Sequence, residues 1–142
     1  MLLEEIRAAL QPVFASRPEI LEAYLFGSTA RGTDTPRSDV DLAFYVGPLR
    51  EEAYPYGYLA DLVGCCISQL KRNDVDGVIL NTAPPLLYHR VLRDGIRLFS
   101  QDLTATTTRE GRALSRYFDY LPQFKKMDDL QRQQIQHGEF GR

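Results

Sequence analysis

The chain has 142 residues, 44% hydrophobic and 25% charged, with Gly 10 and Pro 8, the composition of one globular domain and too short for a second. A chain of this length buries roughly two-thirds of its unfolded surface, enough for a core without disulfide or metal staples, and Tyr 8 and Phe 7 give that core bulk. The net charge is −2, with no Lys/Arg block of the kind that marks a nucleic-acid or anionic-membrane surface, so neither is expected as a direct partner. Met1-Leu2-Leu3-Glu4-Glu5 lacks a basic n-region, and no apolar run approaches the ~20 residues that cross a bilayer, so the expected location is the cytoplasm. Cys65 and Cys66 are adjacent, which suits neither a disulfide framework nor a C-x-x-C site; they read as small buried hydrophobes.

Leu3, Ile6, Leu10, Val13 and Phe14 recur at helical spacing and predict an amphipathic helix over 2–16, ended before Pro18. Ile20 to Phe26 reads as a strand that stops at Gly27. Residues 27–38 hold too many Gly, Pro, Ser, Thr and Asp for more than one short helical turn. From Asp39 to Val46 the pattern alternates, with Val40, Leu42, Phe44 and Val46 on one face and Asp39, Asp41, Ala43 and Tyr45 on the other, which predicts a strand with one buried face. A second helix follows from about Leu59 to Leu70, then a third strand from Asp74 to Asn81. A helix from about Pro85 to Arg93, closed by Gly95 at C′, leads into a fourth strand, Ile96 to Ser100. Thr106 to Leu121 is helical in pattern. Beyond Pro122 the composition turns to Lys, Asp, Gln and Arg, so the expected organisation is a domain over 1–121 and a segment over 122–142. That segment reads as a solvent-facing helix or, preferred here, as one that orders on a partner.

The residues that bear chemistry are Gly27-Ser28, ten residues, then Asp39-Val40-Asp41. A glycine at the strand end lets backbone approach a ligand, and the amides that follow, with the Ser28 hydroxyl, suit phosphate oxygens. Asp39 and Asp41 project side by side from one strand face, about 7 Å apart at Cα. Two such carboxylates repel each other, and the arrangement points to a cation such as Mg²⁺, one or two ions, bridging to substrate phosphates. Asp76 at the start of the next strand completes the acidic set, with Asp74 as its rival two residues earlier. The combination implies nucleotidyl transfer.

Gly27-Ser28-Thr29-Ala30-Arg31-Gly32 followed by Ser38-Asp39-Val40-Asp41-Leu42 resembles the signature of the polymerase-β-like nucleotidyltransferase superfamily, and more closely the minimal nucleotidyltransferase (MNT) antitoxins that pair with HEPN ribonuclease toxins. Val75-Asp76-Gly77-Val78-Ile79-Leu80-Asn81 is similar to the strand of the third carboxylate, and the resemblance covers residues 1 to about 100. It implies a small mixed α/β sheet flanked by helices, Mg²⁺ dependence, and transfer of AMP from ATP to a tyrosine of a cognate HEPN toxin, neutralising it. Asp39, Asp41 and Asp76 are then the metal-binding and catalytic set, with Asp76 as candidate base. Gly27, Ser28 and Arg31 contact the nucleotide, and Arg37 is a weaker candidate for the phosphates. A toxin-masking antitoxin without catalysis, or a transferase acting alone on a small alcohol, is the alternative. His89 and His137 have no companion at metal-ligand spacing and read as ordinary histidines. Tyr54, Tyr56 and Tyr58 read as packing or partner contacts before adenine stacking.

Overall fold

The computed structural model describes residues 1–32 and 39–136. Five helices, α1 (Leu3–Ser16), α2 (Gly27–Arg31), α3 (Tyr58–Leu70), α4 (Pro85–Asp94) and α5 (Leu103–Gln136), surround four strands, β1 (Ile20–Phe26), β2 (Val40–Val46), β3 (Val75–Ile79) and β4 (Ile96–Ser100). Short 3₁₀ turns stand at Glu51–Ala53 and Leu80–Thr82. The sheet order is β3-β2-β1-β4; β1 runs antiparallel to both neighbours, and β2 and β3 are parallel, joined through α3. This is the mixed α/β architecture expected from the sequence.

One face of the sheet carries the alternating residues Val40, Leu42, Phe44 and Val46, packed against Ile6, Leu10, Val13 and Phe14 of α1 and Leu62, Cys66 and Leu70 of α3. The opposite face is also covered, which corrects the expectation of a single buried face on β2. Tyr24 and Ala43, cross-strand neighbours, pack there with Leu80, Tyr88 and Val91 and with Ala113 of α5. The small side chain of Ala43 admits α4 onto this face.

The long helix is fastened through charge. Glu22 on β1 is 0% exposed. It accepts hydrogen bonds from Arg109 Nη2 (2.6 Å), Arg109 Nε (2.9 Å) and Thr106 Oγ1 (3.0 Å). The next residue of α5, Glu110, pairs in the opposite sense, accepting from Arg97 Nη2 and from the Tyr24 hydroxyl, both at 2.6 Å. Consecutive residues of one helix thus pair with β1 and β4.

Three local expectations change. The helix after Thr106 does not stop at Leu121: α5 runs through Pro122 to Gln136, across the expected boundary between 121 and 122. Lys, Gln, Met, Leu and Arg after the proline are good helix formers, and Asp128 and Arg132 pair one turn apart. Gly95 closes α4 but in extended backbone (φ −86°), so its glycine is not needed for a left-handed turn. Space is the reason: a Cβ there would lie 2.3 Å from the carbonyl oxygen of Val91 and 2.9 Å from that of Leu25. The third strand is shorter than expected, and beyond it the Asn81 side chain bonds both the N–H and the carbonyl of Val46, standing in for another strand residue.

Because Glu22 has no access to water, removing its partner strands a buried charge. Arg109→Met should cost about 3 kcal/mol or more in urea unfolding at neutral pH, and Glu22→Gln in the same chain should recover much of that loss. A cost under about 1 kcal/mol for Arg109→Met would contradict the anchor.

Candidate active site

The strand β1 delivers the chain to Gly27, whose φ of +77° turns it into the single turn of α2. The position admits no side chain, since a Cβ would sit 2.2 Å from Asp41 Oδ2. The Gly27 backbone therefore lies directly against the Asp41 carboxylate. Gly32, at φ +72°, ends α2, and the Thr29 hydroxyl donates to the Asp39 carbonyl at 3.2 Å, tying the turn to the start of β2.

Register brings the acids together. On β2, Asp41 stands opposite Phe26 of antiparallel β1 and beside Asp76 of parallel β3. In-register parallel residues share a face, so Asp41 and Asp76 project alike from strands about 4.8 Å apart. Asp39 precedes β2 by one residue and is exposed, as is Asp76, whereas Asp41 is half-buried. Asp76 Oδ1 accepts the Gly77 amide at 2.9 Å. Burial first, then the charges of Asp39 and Asp76, push the Asp41 carboxyl above its ordinary range. Among the described residues no three His, Cys, Asp or Glu side chains converge closely enough to grip an ion as they stand. The donor set nonetheless suits a hard divalent cation. It is all oxygen, and Asp41 is the shared neighbour of two acids whose charges raise its pKa.

The two candidates for the third carboxylate differ in their partners. Asp74 is held in a two-point ion pair by Arg72, which keeps its carboxyl below the usual range. Asp76 is the residue paired with Asp41 across the strands.

At the other wall α2 meets α4, and there the charge is positive. Asp94, paired with Arg93 at 2.9 Å, feels Arg31 and Arg90 as well, and together they hold its carboxyl low. Arg90 and Arg93 were not singled out in the sequence; their only signal was an i, i+3 spacing on one helix. The structure leaves other candidates elsewhere. Tyr58 donates to Glu19 at 2.8 Å, with Tyr54 edge-on to it, near the end of β2 remote from Asp41; Tyr56 is 92% exposed. His89 stacks on Tyr117 with centroids 3.6 Å apart. Cys66 is buried, its thiol pushed up to about 12, and Cys65 lies 3.0 Å from Arg17 Nη2. Arg37, Ser38 and His137 fall outside the described residues.

The family profile described as polymerase beta, nucleotidyltransferase matches residues 8–104, and the chain belongs to that family. Among solved structures it is similar to a chain of a toxin–antitoxin complex with AMP-PNP (24% identity, TM-score 0.71, covering 88% of this chain and 98% of the other). It is also similar to a chain of a tri-AMPylated HEPN toxin in complex with MNT antitoxin from Shewanella oneidensis (22% identity, TM-score 0.67, 92% and 99%). A mutant MntA–HpeT toxin–antitoxin complex gives 25% identity and a TM-score of 0.66, covering 92% and 98%. No curated protein sequence matches. No helix among the described residues is long and apolar enough to cross a membrane.

A raised carboxyl pKa means that the folded chain holds the proton more tightly than the unfolded one. Stability then falls as pH rises from the ordinary carboxylate range through the raised value, and ionised Asp41 costs stability at neutral pH. Asp41→Asn should therefore raise the melting temperature in EDTA at pH 7. The gain should shrink as pH drops into the carboxylate range. A lower melting temperature than wild type at pH 7 would show that the like-charge crowding is not there.

Proposed function

We propose that this chain is the antitoxin of a toxin–antitoxin pair and neutralises a HEPN ribonuclease toxin by transferring AMP from ATP to one of its tyrosines. The observation that supports this most is Asp41 set against the Gly27 backbone with Asp76 in register beside it and the charges of Asp39 and Asp76 on it. The solved structures of similar fold add weight, being toxin–antitoxin complexes, one with AMP-PNP and one with an AMPylated HEPN toxin.

In this reading Asp39, Asp41 and Asp76 are the residues that would hold Mg²⁺, which their charge and hard oxygen donors suit. Bound there, it would supply neutralisation of charge on the reacting phosphates. The Gly27 and Ser28 amides and the Arg31 guanidinium orient the triphosphate, with Arg90 and Arg93 adding positive charge on its outer side. The acceptor tyrosine, with a reference pKa near 10, must lose its proton to attack. Asp76, the more exposed member of the cross-strand pair, takes that proton on a carboxylate oxygen. The tyrosine oxygen bonds to the α-phosphorus, the bond from that phosphorus to the bridging oxygen breaks, and pyrophosphate leaves.

The acceptor is assigned to a partner because the solved structures of similar fold are complexes with one, in one case an AMPylated HEPN toxin. A surface for that partner is the far part of α5, where Met127 (61% exposed), Leu130 and Ile135 stand in solvent. Residues 122–142 accordingly act as a partner-binding segment attached to a transferase domain over 1–121.

The test is incubation of the protein with its co-encoded toxin, ATP and Mg²⁺, followed by intact mass of both chains. The toxin should gain AMP, and Asp39→Asn with Asp41→Asn should abolish the gain while the two proteins still co-purify. Transfer slowed by less than tenfold in that double variant would remove the acidic group from the chemistry. Full protection of cells by an unmodifying variant would favour neutralisation by masking.

A further inference from the structure

At the end of β2 remote from Asp41, Tyr45 and the first half of α5 border a groove of about 770 Å³ lined by Tyr45, Thr108, Arg109, Arg112, Ser115 and Arg116. Tyr45 lies four residues beyond Asp41, about 13 Å along the strand. Arg109, Arg112 and Arg116 follow one another at i, i+3 and i+7, so their side chains share one face of the helix. We propose that this groove is a second nucleotide site, one that takes the phosphate group of its ligand on Arg112 and Arg116 without a metal ion.

The arginines are not equivalent. Arg109 is committed to Glu22 and lies over the Tyr45 ring, 5.1 Å from its centroid. Arg112 and Arg116 are exposed and pair with no carboxylate among the described residues. Two unneutralised guanidinium groups one turn apart repel each other, and an anion between them relieves that repulsion. Beneath Arg116, whose guanidinium carbon is 5.9 Å from the Tyr88 ring centroid, Tyr88 is 2% exposed and its hydroxyl has no hydrogen-bond partner among the described residues. A buried hydroxyl without a partner is costly, and its ring lies under one of the two guanidinium groups that would take the phosphate.

The chemistry selects phosphate. Two guanidinium forks with the Ser115 hydroxyl offer more donors than a carboxylate has oxygens to receive, whereas a phosphate monoester presents three. No acidic side chain lines the groove among the described residues, so the site has nothing with which to hold a divalent ion. Its volume falls in the range of small-molecule sites, larger than a bare anion requires. The Tyr45 ring stacked with the Arg109 guanidinium forms a flat wall of the kind on which a base lies. None of this depends on transferase activity at Asp41.

The experiment is calorimetric titration of the full chain in EDTA with AMP, inorganic pyrophosphate and adenosine, at low ionic strength. AMP should bind one per chain, pyrophosphate several-fold more weakly, and adenosine not measurably. Arg112→Gln with Arg116→Gln, checked for unchanged circular dichroism, should weaken AMP at least tenfold. Asp39→Asn with Asp41→Asn should leave AMP binding in EDTA as it is in wild type. Absent AMP binding in EDTA, or affinity untouched by the arginine pair, overturns the site. Loss in the aspartate pair places AMP at Asp41 and overturns it too, and equal affinity for pyrophosphate assigns the groove to free phosphate and removes the nucleotide.

Discussion

The constraint on which the site depends is the contact between a backbone without a side chain and a carboxylate. Asp41 Oδ2 occupies the space that a Cβ on residue 27 would fill. Three consequences meet at that point. The strand β1 must end in a residue that tolerates positive φ, the turn into α2 must follow at once, and the carboxylate is half-buried with two like charges beside it. A protein that keeps an acid where burial and neighbours disfavour its ionised form gives up stability there, and such sites are where function is found. A divalent cation beside the carboxylate reverses the sign of that cost.

The remainder of the fold holds this arrangement rigid. Pairing of β2 on both sides, with β1 by antiparallel and β3 by parallel bonding, fixes Asp41 relative to Phe26 and Asp76. Cores on both faces of the sheet prevent a slip of register, since a shift by one residue would drive Asp41 into Val40's place among α1 and α3. The helix α4 returns its C-terminal end to α2 and so sets Arg90 and Arg93 near Arg31. Gly95 makes that return possible, because only a residue without Cβ clears the carbonyls of Val91 and Leu25.

What the sequence disclosed follows the range of the interaction. The strands β1 and β4 were read to the residue and α1 to within one, because apolar spacing and flanking Gly or Pro are local signals. Gly27, Asp39 and Asp41 were legible as a spacing, since all three lie close together in the sequence. What sets Asp76 apart from Asp74, the parallel register with β2 and the ion pair that engages Asp74, is not local in the sequence. The second core was hidden because Tyr24, Ala43 and Ala113 read as strand and helix residues with no mark of meeting. The Glu22 and Arg109 pair joins positions 87 apart. Pro122 misled in the other direction: a proline in a long helix removes one hydrogen bond, and the strong helix formers after it carried the helix on.

The central claim is that the carboxylates of Asp39, Asp41 and Asp76 exist to share a divalent cation with a nucleotide. Diffraction from crystals grown with Mn²⁺ and a non-hydrolysable ATP analogue, recorded for anomalous signal, examines it directly. The account predicts anomalous peaks bounded by these three carboxylates and by the analogue's phosphates, with Gly27 backbone beside them. An analogue bound with no metal at these carboxylates, or a metal seated at Asp94 or elsewhere, would contradict it.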